Sequence, residues 1–349
     1  MTTQKTLAPG RPGKFYQSLP KVELHRHLEG SLRLETMFEV ASQRGLPIRD
    51  INHLRSLVQV NQGEPYNFKN FLSKFETLRT FYQSPEIIGR FAQEVVSDAA
   101  ADNVRYMELR FTPMALSAAQ GFPLAEVIEW VIENVEISNR RNGIQTSLIV
   151  SLNRHESVQV AEKIACLAVD YMERGIVGLD LAGNEAQFPA LPFVGVIREA
   201  KQAGLHITIH AGEWGPAQNV SDAIQFLFAE RIGHGVRVME DPAAVELSRL
   251  QGIPFCVCVT SNIQSGIAAT LEDHPVRAML SAGLNVTLNT DDPGISQICL
   301  TDEYRQFCED LGFSLETLRE RVLSAARAAF LPEPKRQALI QQVSAGFTI

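Results

Sequence analysis

The feature that most constrains the fold is a strict alternation of short runs rich in Val and Ile with longer segments of helical period. Eight strands are predicted, at 21–27, 104–111, 146–153, 176–182, 206–211, 231–234, 254–260 and 285–290. The helical segments between them include 86–101, 124–139, 157–173 and 190–203. Alternating strands and helices indicate a parallel sheet, and eight such units match a closed barrel. We therefore predict an α/β fold of the (β/α)₈ TIM-type barrel class.

Two parts of the chain exceed the repeating unit. The connection after the first strand, 28–103, is far longer than one crossover, so extra helices must be inserted there. We assign a helical lid region to 45–100, because an insertion after strand 1 overhangs the end of a barrel where active sites lie. After the last strand, 301–349 has the pattern of closing helices.

Within the insertion, PYNFKNFLSKFETL (65–78) carries an apolar stripe at helical spacing. The residues of this stripe are Phe68, Phe71, Leu72 and Phe75. A stripe of this kind packs into a core, or, above an active site, covers a bound ligand. The sequence leaves both interpretations open.

Composition limits the classes of function. The chain has 349 residues, 45% of them hydrophobic, and a formal net charge of −8. Nucleic-acid binders usually show a basic patch, so an acidic chain favours a free small molecule as ligand. No segment reaches the roughly 18 apolar residues of a membrane helix, and no signal-peptide pattern is present. We expect one cytoplasmic domain over 1–349 with a flexible tail over 1–15, and no nucleic-acid or membrane partner.

The cysteines point to free thiols. They form neither an even, closely spaced framework nor a CxxC pair, which fits a reducing compartment. The five are Cys166, Cys256, Cys258, Cys299 and Cys308. Cys256 and Cys258 could share one face of a strand as zinc ligands, an alternative to plain buried thiols.

The first strand ends in a histidine pair. His25 and His27 occupy positions i and i+2 of KVELHRH, so their side chains point to the same face. At the carboxyl end of a barrel strand, that face is the mouth of the active site. Two neutral imidazoles there form a natural metal-binding pair, although HxH alone is also found in packed or surface histidines.

Other predicted strand ends carry the same residue types. Strand 5 ends in HAGE (His210, Glu213), strand 6 in GHG (His234) and strand 8 in NTDDP (Asp291, Asp292). Half of the eight histidines thus fall at strand ends together with three carboxylates, which chance explains poorly. The remaining histidines are given only surface or packing roles; they are His53, His155, His206 and His274.

This set of side chains favours hydrolysis. Three histidines and one carboxylate can hold Zn²⁺ and leave room for a water, whose pKa the metal lowers to about 7. A glutamate three residues beyond a ligand histidine, as Glu213 is, suits proton transfer to a substrate. A fourth histidine can orient or deprotonate the water, and the second Asp of the DD pair can accept a hydrogen bond from a substrate.

With these residues placed, the chain is identified as a member of the adenosine deaminase family of the amidohydrolase superfamily, over nearly its whole length. The segments that carry the resemblance, in this order, are LPKVELHRHLEG, FKNFLSKF, VRYMELRFTP, LAGNE, HAGE, ERIGHG, TSNIQ and LNTDDP. The other zinc deaminases use an HxE motif with PCxxC, and no PCxxC is present here.

The resemblance implies an enzyme of purine metabolism that deaminates adenosine and 2′-deoxyadenosine by attack of zinc hydroxide on purine C6, with one Zn²⁺ per chain. The implied zinc ligands are His25, His27, His210 and Asp291. Glu213 would protonate purine N1, and His234 would handle the attacking water. Asp292 would bind N7, the backbone of Gly183 would approach N3, and the apolar stripe would cover the ligand.

One position departs from the family pattern. Adenosine deaminases usually read HxHLDG, with the Asp near the ribose 5′-hydroxyl, whereas this chain has Glu29. HLEG resembles relatives acting on adenine or aminodeoxyfutalosine, while IGHG, TSNIQ and NTDDP resemble the nucleoside enzymes. Adenosine is the predicted substrate, with adenine or a 5′-substituted adenosine as the alternative. Glu29 would then face the ribose region, or else cap the following helix locally.

Two other classes compete with this prediction. A binuclear amidohydrolase that cleaves amides or esters would need a bridging carboxylate, often a modified lysine, at the end of strand 4. IVGLDLAG has no lysine, and Asp180 lies early in that run. A non-catalytic zinc protein would need only the ligands, so the presence of Glu213, His234 and Asp292 favours an enzyme.

Overall fold

The computed structural model describes residues 13–347, which contain one eight-stranded sheet with its strands in chain order. Each strand pairs with the next in parallel. The strands are Lys21–His27 (β1), Val104–Phe111 (β2), Gln145–Asn153 (β3), Ile176–Ala182 (β4), His206–Ala211 (β5), Arg231–His234 (β6), Pro254–Val257 (β7) and Asn285–Leu288 (β8). The predicted TIM-type barrel is confirmed.

Contacts between the first strand and the segment after the last one close the barrel. The N–H of Asp291 donates to the carbonyl of His25 at 3.0 Å, and the N–H of His27 donates to the carbonyl of Asp291 at 2.9 Å. One layer below, the N–H of Leu24 donates to Asn289 Oδ1 at 2.8 Å. Barrel closure itself therefore places Asp291 between the two histidines of β1.

Helices surround the barrel and fill the long connection after β1. They are Gly13–Ser18 (α1), Leu34–Arg44 (α2), Ile51–Val58 (α3), Phe68–Leu78 (α4), Pro85–Ala101 (α5), Pro113–Ser117 (α6), Leu124–Asn142 (α7), Val158–Asp170 (α8), Val194–Ala203 (α9), Ala217–Gln225 (α10), Pro242–Gln251 (α11), Val259–Gln264 (α12), Val276–Ser281 (α13), Pro293–Ser296 (α14), Leu300–Arg305 (α15), Leu315–Ala328 (α16) and Glu333–Gly346 (α17). Helices α2 to α5 form the predicted insertion, and α15 to α17 are the predicted closing helices.

Helix α4, which carries the apolar stripe, is fixed at its start and along one side. The side chain of Asn67 accepts a hydrogen bond from the N–H of Asn70, which caps the first turn. The buried ammonium of Lys74 donates to Glu64 at 2.8 Å and to the carbonyl of Ser56 at 2.9 Å. These bonds tie α4 to the preceding loop and to α3, and leave its aromatic side chains to face the barrel.

The seventh strand is shorter than predicted. The apolar run 254–260 was expected to be extended throughout, but β7 ends at Val257 and α12 begins at Val259. The carboxylate of buried Glu303 accepts from the N–H groups of Val259 and Thr260, which satisfies the start of α12. A side chain from another helix, α15, thus stabilises the start of α12 and so sets the end of β7.

Two fully buried ion pairs occupy the barrel interior. Arg110 pairs with Asp180 at 3.2 Å, and Arg231 pairs with Glu108; all four side chains are 0% exposed. Arg231 begins β6, so its pair lies toward the amino end of the barrel, away from the strand ends that carry the histidines.

The tail predicted over 1–15 falls largely outside the described residues, since 1–12 are not described and 13–15 begin α1. The lid region predicted over 45–100 spans α3 to α5. None of the helices in residues 13–347 is long and apolar enough to cross a membrane.

Candidate active site

Four predicted side chains converge at the carboxyl mouth of the barrel. His25, His210, His234 and Asp291 are buried, and each offers one ligand atom within 4.8 Å of the others. They come from the ends of β1, β5 and β6 and from the segment after β8. Carboxyl ends of parallel strands meet at one face of the barrel, which is why residues so distant in sequence lie together.

His27 lies at the edge of this cluster. Its Nε2 is 3.3 Å from His210 Nε2 and 3.4 Å from Asp291 Oδ1. The structure therefore brings together the four ligands that the resemblance implies, and places His234, predicted to act on the water, beside them.

The unpaired nitrogens of His25 fit a cation. This side chain is 0% exposed, and neither of its ring nitrogens has a hydrogen-bond partner among the described residues. Its Nε2 lies 3.2 Å from Asp291 Oδ1 without the geometry of a hydrogen bond. Burial holds the pKa of His25 well below its usual range, so the imidazole is neutral, as a metal ligand must be. A nitrogen-rich set that converges in this way fits a divalent metal ion.

Two of the clustered residues have unusual backbone conformations. His234 has φ 58° and Asp291 has φ 66°, both in the left-handed region that side chains with a Cβ rarely adopt. Such residues persist where the surrounding structure compensates for their cost, and they concentrate at functional sites. His234 is the last residue of β6, and Asp291 follows the end of β8 by three residues, so both lie where a strand passes into its loop.

Asp291 is held as a carboxylate. Burial raises its pKa, but His234, His25 and His27 around it hold the pKa well below the usual range. Ser261, at the start of α12, donates to Asp291 Oδ2 at 2.7 Å. The second oxygen is therefore fixed, and Oδ1 faces the histidines.

Glu213 has the opposite character. It is 4% exposed, and burial, with Asp291 and Glu185 nearby, raises its pKa well above the usual range. Its loop is held by Glu185, whose carboxylate accepts from the N–H groups of Gly212 (3.0 Å), Glu213 (2.5 Å) and Trp214 (2.7 Å). Glu213 Oε2 lies 3.7 Å from His234 Nε2. The raised pKa makes Glu213 suited to donate a proton at the edge of the metal cluster.

Asp292 is a second carboxyl group with a raised pKa. Burial, then Asp291 and Glu29, raise its pKa well above the usual range, and its Oδ1 has no hydrogen-bond partner among the described residues. The close approach of Gly30 explains the glycine of HLEG, because a Cβ there would lie 1.7 Å from Asp292 Oδ1.

The cluster opens into a cavity of about 270 Å³. Its lining residues include His27, Glu29, Phe71, Leu72, Phe75, Arg79, His155, Gly183, His210, Glu213, Trp214, His234, Asp291 and Asp292. Three members of the predicted stripe therefore line the cavity. The fourth, Phe68, packs against Trp214 with ring centroids 5.9 Å apart. Gly183, with φ 98°, presents backbone to the cavity in a conformation that favours glycine.

Glu29 is 3% exposed, and its two carboxylate oxygens have different surroundings. Its Oε1 accepts from the N–H of Thr112, directly after β2, at 2.7 Å, and Oε2 has no hydrogen-bond partner among the described residues. Burial raises the pKa of Glu29. The side chain is therefore not only a local cap of the following helix, since it accepts a hydrogen bond from the residue after β2 and lines the cavity.

Sequence reasoning missed several residues that support the cluster. Asp180 accepts from His210 Nδ1 at 3.0 Å, the arrangement that orients a metal-ligating histidine. Glu185 of LAGNE had no assigned role, although it binds three successive amides of the HAGE loop. His155 lines the cavity and buried His274 bonds Asn262, whereas both were expected to be surface or packing residues. No local pattern marked them, since their partners are distant in sequence.

A parallel barrel whose carboxyl mouth gathers buried histidines, an aspartate and a glutamate of raised pKa is typical of a hydrolase of the amidohydrolase type. The family model described as adenosine deaminase matches residues 20–346. The chain belongs to the adenosine deaminase family, and is accordingly an enzyme that hydrolyses C–N bonds.

Individual relatives agree over nearly the full length. An adenosine deaminase of Klebsiella pneumoniae (strain 342) is 36% identical over 332 residues, covering 94% of this chain and 99% of that protein. An adenine deaminase structure from Arthrobacter aurescens has a TM-score of 0.87 at 30% identity, covering 94% of this chain and 98% of that one. An amidohydrolase structure from Burkholderia ambifaria with bound Zn has a TM-score of 0.83 at 26% identity, covering 97% and 98%.

Proposed function

We propose that the protein catalyses the zinc-dependent hydrolytic deamination of adenosine and 2′-deoxyadenosine, releasing ammonia and leaving the inosine or 2′-deoxyinosine product. The observation that carries the proposal is the buried Glu213, whose pKa is raised, next to a cluster of histidines and Asp291 in one cavity. Hydrolysis at a purine carbon needs an activated water on one side and a proton donor for the ring on the other.

One zinc ion would be held by His25, His27, His210 and Asp291. The nitrogen-rich donor set favours zinc over magnesium or calcium, which prefer oxygen, and the Burkholderia ambifaria relative has bound Zn. When bound, the ion would lower the pKa of a water and make it a nucleophile at neutral pH. His234, behind the ligands, would position that water.

The two raised pKa values match the two acceptor nitrogens of a purine. N1 and N7 both carry lone pairs and no hydrogen, so a carboxyl group that binds either of them must donate. Glu213 would give its proton to N1, which makes C6 more electrophilic. Asp292 would donate to N7. The sequence suggested that the second Asp accepts a hydrogen bond, whereas its raised pKa supports a donor.

The rest of the cavity would hold the nucleoside in place. The aromatic residues of α4 supply an apolar cover, and the backbone at Gly183 allows close approach toward N3. We include in the proposal that the chain acts as one barrel domain on a small purine. The predicted flexible tail over 1–15 and the cytoplasmic location stay predictions.

The alternative substrates are adenine and a 5′-substituted adenosine. The presence of Glu29 in the cavity favours them. Its unpaired Oε2 lies at the cavity, one methylene further out than an aspartate would reach. Adenosine is preferred because the motifs of the other strand ends resemble those of nucleoside enzymes. The binuclear alternative has weak support, since both oxygens of Asp180 on β4 are already bound by His210, Arg110 and Ser151.

The test is an ammonia-release assay of the purified, zinc-loaded protein with adenosine, 2′-deoxyadenosine, adenine and 5′-substituted adenosines. The proposal expects the highest kcat/KM with the two nucleosides. A higher value with adenine would transfer the substrate assignment to the free base and leave the deaminase chemistry intact. Absence of ammonia from every purine would refute the proposed function.

Metal content is a second test of the same proposal. Elemental analysis should find one equivalent of zinc per active chain. Two equivalents in the active protein would support the binuclear alternative and contradict the ligand assignment. An active protein without metal would contradict the role of the cluster altogether.

A further inference from the structure

A buried chain of hydrogen bonds leads from the backbone of α13 to His234. The N–H of Val276 lies 3.1 Å from His274 Nδ1, and His274 Nε2 lies 3.2 Å from Asn262 Oδ1. Asn262 Nδ2 lies 3.1 Å from His234 Nδ1. His274 is 3% exposed, Asn262 0% and His234 1%, so water does not compete with these contacts.

The direction of this chain is fixed at its first link. A backbone N–H can only donate, so Nδ1 of His274 must be the acceptor, and neutral His274 carries its hydrogen on Nε2. That hydrogen is donated to Asn262, so the amide must turn its oxygen toward His274 and its NH₂ group toward His234. The backbone N–H of Val276 thus decides which end of the Asn262 amide is oxygen and which is nitrogen.

The last link determines which nitrogen of His234 carries hydrogen. Because the NH₂ group of Asn262 donates, His234 Nδ1 must accept, and neutral His234 bears its hydrogen on Nε2. That Nε2 faces the site, 3.7 Å from Glu213 Oε2 and 3.9 Å from Asp291 Oδ2. A nitrogen that carries hydrogen has no free lone pair for a metal ion. His234 therefore differs from His25, although both belong to the same cluster of possible ligands.

We infer that Asn262 and His274 are positioning residues that fix His234 as the Nε2–H tautomer, so that it donates a hydrogen bond to the attacking water and does not ligate the metal. The part of this inference that concerns the hydrogen bond to the attacking water rests on the proposed function. The tautomer itself depends only on the hydrogen-bond chain. Neither Asn262 nor His274 is among the residues that line the substrate cavity, so both act through His234, which does line it.

The decisive measurement is the nitrogen NMR spectrum of the metal-loaded protein labelled with ¹⁵N-histidine. The two ring nitrogens of a neutral histidine resonate far apart according to which one carries hydrogen. The His234 signals are assigned by their absence in His234→Gln. The inference expects hydrogen on Nε2 of His234 and on Nε2 of His274. Hydrogen on Nδ1 of His234 in the unmodified protein would overturn it, without any substrate being involved.

Asn262→Asp keeps the shape of the side chain but reverses the direction of its hydrogen bond with His234. A carboxylate accepts from both sides, so His234 should move its hydrogen to Nδ1 and lose the donor at the site. We expect the ¹⁵N pattern of His234 to invert and kcat to fall by about 100-fold with little change in KM, as for the loss of one oriented donor. The variant should still bind one equivalent of zinc. The zinc should be as hard as before, or harder, to remove with a chelator, because Nε2 of His234 would then have a free lone pair.

Asn134→Asp is the matched control. Asn134 has both ends of its amide engaged, by Gln93 and by the carbonyl of Trp130, but it lies between α5 and α7, remote from the site. It should leave the His234 spectrum and kcat unchanged. An unchanged His234 spectrum in folded Asn262→Asp, or an inverted spectrum with full kcat, would overturn the inference. If Asn262→Asp fails to fold, the spectrum of the unmodified protein still decides the tautomer.

Inactivity toward every purine would be a different result. It would refute the proposed function, while the tautomer of His234 could still be read from the spectrum. The two failures are therefore distinguishable.

Discussion

Removing the charge of Asp180 tests how the barrel interior supports the metal cluster. Its Oδ1 accepts from His210 Nδ1 at 3.0 Å, and its Oδ2 accepts from Arg110 at 3.2 Å and Ser151 at 3.1 Å. Burial raises its pKa, but His210 and Arg110 hold the pKa below the usual range, so it is a carboxylate. In Asp180→Asn, one oxygen can still accept from His210. The other position becomes an NH₂ group facing two donors.

The magnitude follows from these contacts. Arg110 is 0% exposed and would lose its carboxylate partner; breaking a buried pair in this way costs about 3–5 kcal/mol of folding free energy. Losing the charged partner of a metal-ligating histidine typically costs 10- to 100-fold in metal affinity, about 1.4–2.7 kcal/mol. We therefore expect Asp180→Asn to lower both the free energy of unfolding and the affinity for zinc.

The assay is competition for zinc against a chromogenic chelator under native conditions, with urea unfolding measured in parallel. Glu108→Gln is the matched control, because Glu108 pairs with the equally buried Arg231 at the other end of the barrel. It should lower stability by a similar amount and leave zinc affinity unchanged. The reasoning is refuted if Asp180→Asn binds zinc as tightly as the unmodified protein, or if Glu108→Gln weakens zinc binding equally.

Three further substitutions separate the roles inside the site. His25→Ala should remove both metal and activity, as measured by elemental analysis and ammonia release; retained zinc would show that His25 is not a ligand. Glu213→Gln should keep the zinc but lower kcat/KM by about 10²–10⁴, the worth of a general acid, and loss of zinc there would mark Glu213 as a ligand. Glu29→Ala should impair adenosine more than adenine by about 1.5–3 kcal/mol, the worth of a hydrogen bond to a charged group, whereas equal losses would argue against a sugar contact.

The fold and the inner part of the site could be predicted from the sequence because both follow from short-range periodicity. Alternation of strand and helix identified the barrel, and strand parity placed His25 and His27 on one face. Parallel strands then bring their carboxyl ends together, which predicted that His210, His234 and Asp291 would join them. These steps need only the position of a residue within its own strand.

The supporting residues could not be predicted in this way, because their roles depend on partners from other elements. Asp180 was considered only as a bridging ligand for a binuclear site and judged to lie too early in strand 4 for that, whereas the structure shows it accepting a hydrogen bond from His210 Nδ1. The end of β7 was misjudged because Glu303, from α15, satisfies the first amides of α12. Sequence periodicity gives the face on which a side chain lies, but not the element that packs against that face.

The assignment of proton donor and ligand is the part of the site that depends most on tertiary structure. Asp291 and Asp292 are adjacent, identical in chemistry and both buried, yet their pKa values are shifted in opposite directions. The difference lies in their neighbours: imidazoles and the hydroxyl of Ser261 surround Asp291, whereas Asp292 faces Asp291 and Glu29. Burial alone would neutralise both carboxyl groups, so it is the histidine cluster that keeps one of them ionised. When two neighbouring carboxyl groups have pKa values shifted in opposite directions, one can bind a cation while the other donates a proton in the same cavity at neutral pH.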